Sequence, residues 1–407
     1  MVIDERRQQV ARAGVDLAAP QGNDGESEQV PALWWHALEA CLAQVRAQCD
    51  TTLVSRVAID GTSATVLLCN REGRPVTTAL MYNDTRARKQ AEQIARIAPD
   101  ETAALGASSS LAKAMWLRDH ARAKDTLYIQ HQADWICGRL RGQAGTSDYN
   151  NALKLGFDVE RLNWPNWILS LVGPSLRLPE VVAPGSVLGP VSEKLAPSLG
   201  LSADTAIVAG TTDSVAAVLA SGASEIGDGV TSLGSTLVLK QLSDKPVFAA
   251  RYGVYSHRLG DTWLAGGASN SGGAVLKQFF SDDEIRQYTS RLDPGRATGL
   301  DYYPLAGTGE RFPVADPDMK PRITPVPDDP AVLFQALLEG MTAIERRGYE
   351  LLKKLGAPKL RRVFTTGGGG GNDGWTRMRE QALGVPVLPA VSRDAAYGAA
   401  LLALNAK

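Results

Sequence analysis

Residues 206–220 read AIVAGTTDSVAAVLA, and the order of their chemistry sets the fold class. Ala206-Ile207-Val208-Ala209 is a short apolar run of the kind that forms a buried strand, and SVAAVLA is a helix-like run of small apolar residues. Between them lies Gly210-Thr211-Thr212-Asp213. A strand that feeds directly into a helix is the repeating unit of an α/β fold. Asp213 stands at the junction, and two roles suit it. Its carboxylate can cap the helix, accepting backbone N–H bonds at the positive helix end. It can also serve as a general base at the carboxyl end of a strand, where α/β folds bind their ligands. One residue can do both.

Upstream, the polar stretch Pro20–Glu28 precedes a predicted helix containing Trp34, Trp35, Leu38, Cys41 and Leu42. Two β-like runs follow, Arg56–Asp60 (RVAID) and Thr65–Asn70 (TVLLCN), joined by the turn Gly61-Thr62-Ser63-Ala64. Leu111–Ala121 and Ala133–Leu140 read as helical segments. The passage Pro179–Pro190 (PEVVAPGSVLGP) reads as extended, because each proline fixes φ and removes a donor.

Downstream, the pattern shifts to hairpins: Gly229–Gln241 (GVTSLGSTLVLKQ), then Tyr252–Gly266 with its Gly260-Asp261 turn. Arg362–Thr366 reads as a strand and runs into five glycines, Gly367 to Gly371. Asn372 to Leu383 reads as a helix capped by Asp373, Pro386–Pro389 as a strand, and Asp394–Leu404 as a small-residue helix. Strand–helix units in both halves predict two α/β domains facing a cleft.

Three places can carry chemistry besides Asp213. Gly234-Ser235-Thr236 is either a plain hairpin turn or a turn whose N–H and O–H donors face a phosphate. Five consecutive glycines cost conformational entropy, which close approach of a flat ligand would explain. Beside them, Asn372 and Trp375 either hydrogen-bond and stack on a base or belong to the core. The run is neither a GxxxxGK[ST] loop nor a dinucleotide GxGxxG fingerprint. Thr62-Ser63 either touches a substrate hydroxyl or only closes its turn. The histidines His36, His120, His131 and His257 show no ligand or triad spacing and receive no role.

Composition narrows the classes. In 407 residues, 43 Lys+Arg face 44 Asp+Glu, a formal charge of -1. That removes the overall basic footprint of a nucleic-acid binder. The 44% hydrophobic and 21% charged content suits a globular chain with sizeable cores. Cys41, Cys49, Cys69 and Cys137 form no CxxC pair, so free thiols in a reducing compartment are expected. No apolar run reaches the ~18 residues of a membrane span, and no basic-then-apolar leader opens the chain. The expectation is a cytoplasmic protein without nucleic-acid or membrane partners.

Taken in order, these segments resemble the FGGY family of carbohydrate kinases. The resemblance rests on AIDGTSATVLLCNREGRPVTTALMYND (Ala58–Asp84), AGTTDSVAAVLASGA, TSLGSTLVLK, GGASNSGGA (Gly266–Ala274), TTGGGGGNDGW (Thr365–Trp375) and DAAYGAALLA, from about residue 50 onward. TSLGST, GGASN and SDYNNALKLG are most similar to the small xylulose-kinase-like members of cyanobacteria and plants, which act on ribulose.

The resemblance implies two ribonuclease H-like (actin-like ATPase) domains around a cleft. Residues 1–220 would form the sugar domain, with 394–407 packing back on it, and 221–393 the ATP domain. Asp213 matches the family's catalytic base, and Ser63 a sugar-contacting serine. Gly234, Ser235 and Thr236 match a phosphate loop; Gly368, Gly369, Asn372 and Trp375 match the adenosine pocket. ATP with Mg²⁺ would phosphorylate a ketopentose such as D-ribulose or D-xylulose. The family opens with a DxGT/S loop. Met1–Arg7 resembles the segment immediately after that loop, so Met1 is expected to be an internal methionine of a longer kinase. Two alternatives remain: a silent sugar- or nucleotide-binding homologue, and an actin-like or chaperone-like ATPase, against which the AIDGTS segment argues.

Overall fold

The structure, a computed structural model, describes residues 1–122 and 125–406. Ala123, Lys124 and Lys407 lie outside the described residues, so the last position of the expected 394–407 segment does too. The chain divides into two compact units, one formed by Met1–Ala220 with the C-terminal segment from Asp394, the other by Ser221–Arg393.

In the first unit, a five-stranded sheet runs in the order Glu28–Gln29, Ala79–Leu80, Val66–Cys69, Leu127–His131, Leu176–Arg177. Val66–Cys69 is buried on both faces and so is apolar without interruption. Val66 and Leu68 enter a core with Ile94, Leu111 and Ile129, whereas Leu67 and Cys69 enter another with Trp34, Trp35 and Trp135. A separate sheet joins Val187–Pro190, Ala206–Thr212 and Arg56–Gly61, the last two parallel. The runs RVAID and TVLLCN therefore belong to different sheets. The Gly61–Ala64 segment is a crossing between them, and Ala64 takes a left-handed φ of 68° to make it.

Gly210 has a specific reason. A Cβ there would overlap the Ile59 carbonyl, and the ladder between the two parallel strands slips between Val208 and Thr211. Beyond the slip, Thr211 pairs with Asp60 and Thr212 with Gly61. The strand ends at Thr212, and the helix Asp213–Ser221 begins at once. The C-terminal helix Ala395–Leu404, capped by Asp394, crosses it so closely that a Cβ on Gly398 would overlap the Ala216 carbonyl. This contact explains the glycine at 398.

The second unit is organised on a six-stranded sheet in the order Tyr255–Leu259, Thr262–Ser269, Leu237–Ser243, Asp228–Leu233, Arg362–Thr366, Val387–Pro389. Both predicted hairpins form. Asp228–Leu233 lies parallel to Arg362–Thr366, with Thr231 opposite Thr365 and Ser232 opposite Thr366. Their carboxyl ends thus open side by side, one into Gly234 and the other into Gly367. The 25-residue helix Pro330–Lys354 supplies Phe334, Leu337, Met341 and Ile344 to the core below.

The cap of the helix Asp373–Leu383 differs from the expectation. Asn372 is the cap, its Oδ1 accepting from the Trp375 N–H at 2.9 Å, and Asp373 is already helical. Both residue types cap well, so the choice follows from where the glycine run releases the chain.

Candidate active site

In the first unit, two parallel strands place carboxylates at neighbouring carboxyl ends. Asp213 is half-buried, and its Oδ1 accepts from the Ser214 N–H at 2.6 Å. Asp60 is held up at about 6, first by burial and next by the negative charge of Asp213. Two carboxylates that oppose each other's ionisation are a site for a proton or a cation.

The crossing beside them is tied down. The Thr62 N–H and hydroxyl both donate to Gln132 Oε1, at 2.9 and 3.0 Å, and the Gln132 N–H donates to the Thr65 carbonyl at 3.2 Å. Ser63 stands half-buried at the bend. Behind the strand end, Asn150 Nδ2 donates to Thr211 Oγ1 at 3.1 Å. Asn150 is set by Asp148, which accepts from the Asn150 and Asn151 N–H groups at 2.8 and 3.2 Å. Burial, with Asp134 nearby, pushes Asp148 up to about 7.

In the second unit, Ser235 and Thr236 are exposed at a turn. The segment Ser269–Ala274 holds that turn: the Gly273 and Ala274 N–H groups donate to the Gly234 and Ser235 carbonyls at 2.8 and 3.1 Å. On the adjacent strand end, Gly367 has φ 80°, and a Cβ there would lie 2.7 Å from the Leu233 carbonyl. Gly368–Gly371 then form a short 3₁₀ turn.

Comparison with known proteins places the chain in a family. The N-terminal domain of the FGGY family of carbohydrate kinases matches residues 1–220, and its C-terminal domain matches 229–406. The chain belongs to the FGGY family of carbohydrate kinases. It is a sugar kinase, a phosphotransferase with an alcohol acceptor, in a family that takes ATP as co-substrate. The match reaches residue 1, further than the segments from about residue 50 that carry the sequence resemblance.

Similar proteins include a xylulose kinase of Staphylococcus xylosus, 23% identical over 99% of this chain and 87% of that protein. A gluconokinase of Bacillus subtilis is 22% identical over 93% of this chain and 80% of its own length. Among solved structures, a kinase from Brucella ovis described as a xyloylose kinase superposes with a TM-score of 0.87 at 22% identity. It covers 99% of this chain and 87% of the other. The fold is thus the actin-like ATPase fold of sugar kinases.

Within this FGGY kinase, the structure groups Asp213 with Ser63 in one unit and Gly234, Ser235, Thr236, Gly368 and Gly369 in the other. Trp375, for which both stacking on a base and a place in the core were open, has its side chain buried in the core, and its indole N–H donates to Thr342 Oγ1 at 2.9 Å. Asn372 spends its amide on the cap and on Thr289.

Asp60 escaped the sequence reading, whereas Gln132 opens the stretch Gln132-Ala133-Asp134-Trp135, whose mix of polar and aromatic groups suits a sugar site but alone is more often structural. The signal for Asp60 was present, since it ends a strand just as Asp213 follows one. His131 is structural, its ring between Asp134 and Ser110. The four cysteines are free, and burial pushes the Cys69 and Cys137 thiols up to about 12. Among the described residues no cluster of three or more His, Cys, Asp or Glu could hold a metal, and no helix is long and apolar enough to cross a membrane.

Proposed function

We propose that this kinase transfers the γ-phosphate of ATP to a hydroxyl of a ketopentose, D-xylulose or D-ribulose, with Asp213 as the general base. The observation that carries the reading is the pair Asp60–Asp213 at adjacent strand ends, beside the bend that presents Ser63. Asp213 takes the proton of the attacking hydroxyl, and Ser63 orients the sugar. Asp60, held near the middle of the titration range, adjusts the charge that Asp213 feels.

In the second unit, Gly234, Ser235 and Thr236 hold phosphate oxygens, and Gly368 and Gly369 admit the adenosine. Asn372 and Trp375 shape that pocket from behind. Mg²⁺ usually binds through one or two carboxylates plus the phosphates of the nucleotide. It would arrive on the ATP phosphates that the Gly234–Thr236 turn holds. The ion would neutralise phosphate charge.

The test is ADP release by the purified chain against ketopentoses, aldonates and polyols. Turnover fastest with D-xylulose or D-ribulose supports the reading, and turnover fastest with gluconate overturns its substrate. Binding of sugar and ATP by calorimetry with no ADP release would make the chain a silent homologue.

A further inference from the structure

Glu310 is 3% exposed, yet its carboxylate collects four hydrogen bonds. Oε1 accepts from the N–H groups of Asn270 and Arg311, each at 2.9 Å. Oε2 accepts from Ser269 Oγ at 2.5 Å and Tyr303 Oη at 3.1 Å. Its neighbours add to the grip: the Gly309 carbonyl accepts from Asn270 Nδ2, and Arg311 Nε donates to the Ala268 carbonyl, both at 2.9 Å. A buried carboxylate bonded this fully has almost no freedom to move, and charge-assisted bonds are the strong ones.

The segment it grips is the one that holds the Gly234–Thr236 turn. Ser269 Oγ accepts from the Ser271 N–H at 3.0 Å, and the Ser271 carbonyl accepts from the Leu237 N–H at 2.7 Å. Gly272, at φ 143°, lies so near the turn that a Cβ would stand 2.7 Å from the Ser235 carbonyl and from Thr236 Cα. Gly273 and Ala274 then bond Gly234 and Ser235 directly. Every link from Glu310 to the turn is a hydrogen bond or a close backbone contact.

We propose that Glu310 is a positioning residue for nucleotide binding, fixing the Gly234–Thr236 turn through the Ser269–Ala274 segment. The inference rests on the reading of that turn as the phosphate-holding one. It explains why a buried carboxylate lies where an apolar residue would pack at lower cost.

The test uses the full chain with Glu310→Leu and Glu310→Gln. Leucine removes all four acceptor contacts. Glutamine keeps an oxygen for the two backbone N–H groups, while the Ser269 and Tyr303 hydroxyls rotate to accept from its amide. In Glu310→Leu, ATP affinity by calorimetry is expected to fall about tenfold or more, a 1.4 kcal/mol change, with sugar affinity unchanged. Glu310→Gln should restore most of it. Amide hydrogen exchange should quicken together in 233–237 and 269–274.

If exchange quickens only in 269–271 and ATP binds as in the native chain, Glu310 is purely local and the proposal fails. If the native chain binds no ATP, the phosphate reading itself fails, while the exchange pattern still decides whether Glu310 fixes the turn. Should Glu310→Leu not fold, Ser269→Ala breaks the same chain of contacts at one link and should show the same pattern at smaller amplitude.

Discussion

Arg379 and Glu345 meet in the interior of the second unit through two hydrogen bonds of 2.7 Å, with both side chains 1% exposed. The third arm of the guanidinium donates to Thr365 Oγ1 at 2.7 Å, and Glu345 also accepts from Thr231 Oγ1 at 2.6 Å. Thr231 and Thr365 are paired across the two parallel strands whose ends carry Gly234 and Gly367. The ion pair therefore ties both strands to the helices Pro330–Lys354 and Asp373–Leu383. It sets the spacing of the two glycine turns from below.

Glu345→Ala would leave the Arg379 charge buried and unpaired, at a cost of about 3–5 kcal/mol. The double variant Glu345→Leu with Arg379→Met should recover most of that loss, because a well-packed apolar pair avoids desolvating two charges. Thermal unfolding of the full chains measures both. A double variant no more stable than Glu345→Ala would mean that the pair is irreplaceable by packing.

Asp213→Asn should lower turnover about 10²–10⁴-fold while leaving ATP affinity intact, since the amide cannot take the hydroxyl proton. The capping role predicts something else: a stability loss of about 1 kcal/mol with turnover preserved, for which Asp213→Ala is the comparison. Kinetics and melting on the same preparations separate the two roles.

Asp60 titrates at about 6 in the folded chain, up from 3.8, so the folded state binds its proton more tightly than the unfolded state does. Its contribution to stability is full below about pH 4 and is lost as pH rises through 6. Asp60→Asn, which never ionises, should therefore gain stability relative to the native chain between pH 4 and 7. In an Asp213→Asn background that gain should shrink, because one source of the shift is gone. An equal gain in both backgrounds would show that burial alone raises Asp60.

These residues also show where sequence legibility ends. Asp213 was readable because strand, hydroxyl-rich turn and helix follow one another in the chain. The hairpin at Gly260-Asp261 was readable for the same reason, as turn chemistry is local. Sheet membership was not: RVAID and TVLLCN are four residues apart yet pair with partners far away in sequence. Arg379 lies in DGWTRMREQAL, where a charged residue normally means a solvent face. Only Glu345, on a different helix, makes its burial tolerable. Trp375 stayed open between a platform for a base and a core residue, because its partner Thr342 lies on the long helix beneath, far away in sequence.

The glycine run offers the sharpest test of the proposed nucleotide site, because its members differ in what surrounds them. A Cβ on Gly369 would lie 2.8 Å from the Trp375 ring and 2.9 Å from Leu233 Cβ, so Gly369→Val must disturb the fold itself. A Cβ on Gly368 meets nothing within 4 Å, and no positive φ stands in its way. Gly368→Val should consequently melt within a few degrees of the native chain, as expected for a change under about 1 kcal/mol in a unit of this size. If adenosine lies against Gly368, the valine meets the ligand instead, and the ATP KM should rise about tenfold or more, equivalent to at least ~1.4 kcal/mol. The sugar KM should stay put, since Ser63 and Asp213, the residues proposed to contact the sugar, belong to the other unit. Gly369→Val should show the opposite signature, a lower melting temperature whether or not nucleotide is present. A Gly368→Val chain that keeps both its melting temperature and its ATP KM would remove Gly368 from the nucleotide pocket, and the glycines would then serve only the turn between Thr366 and Asn372.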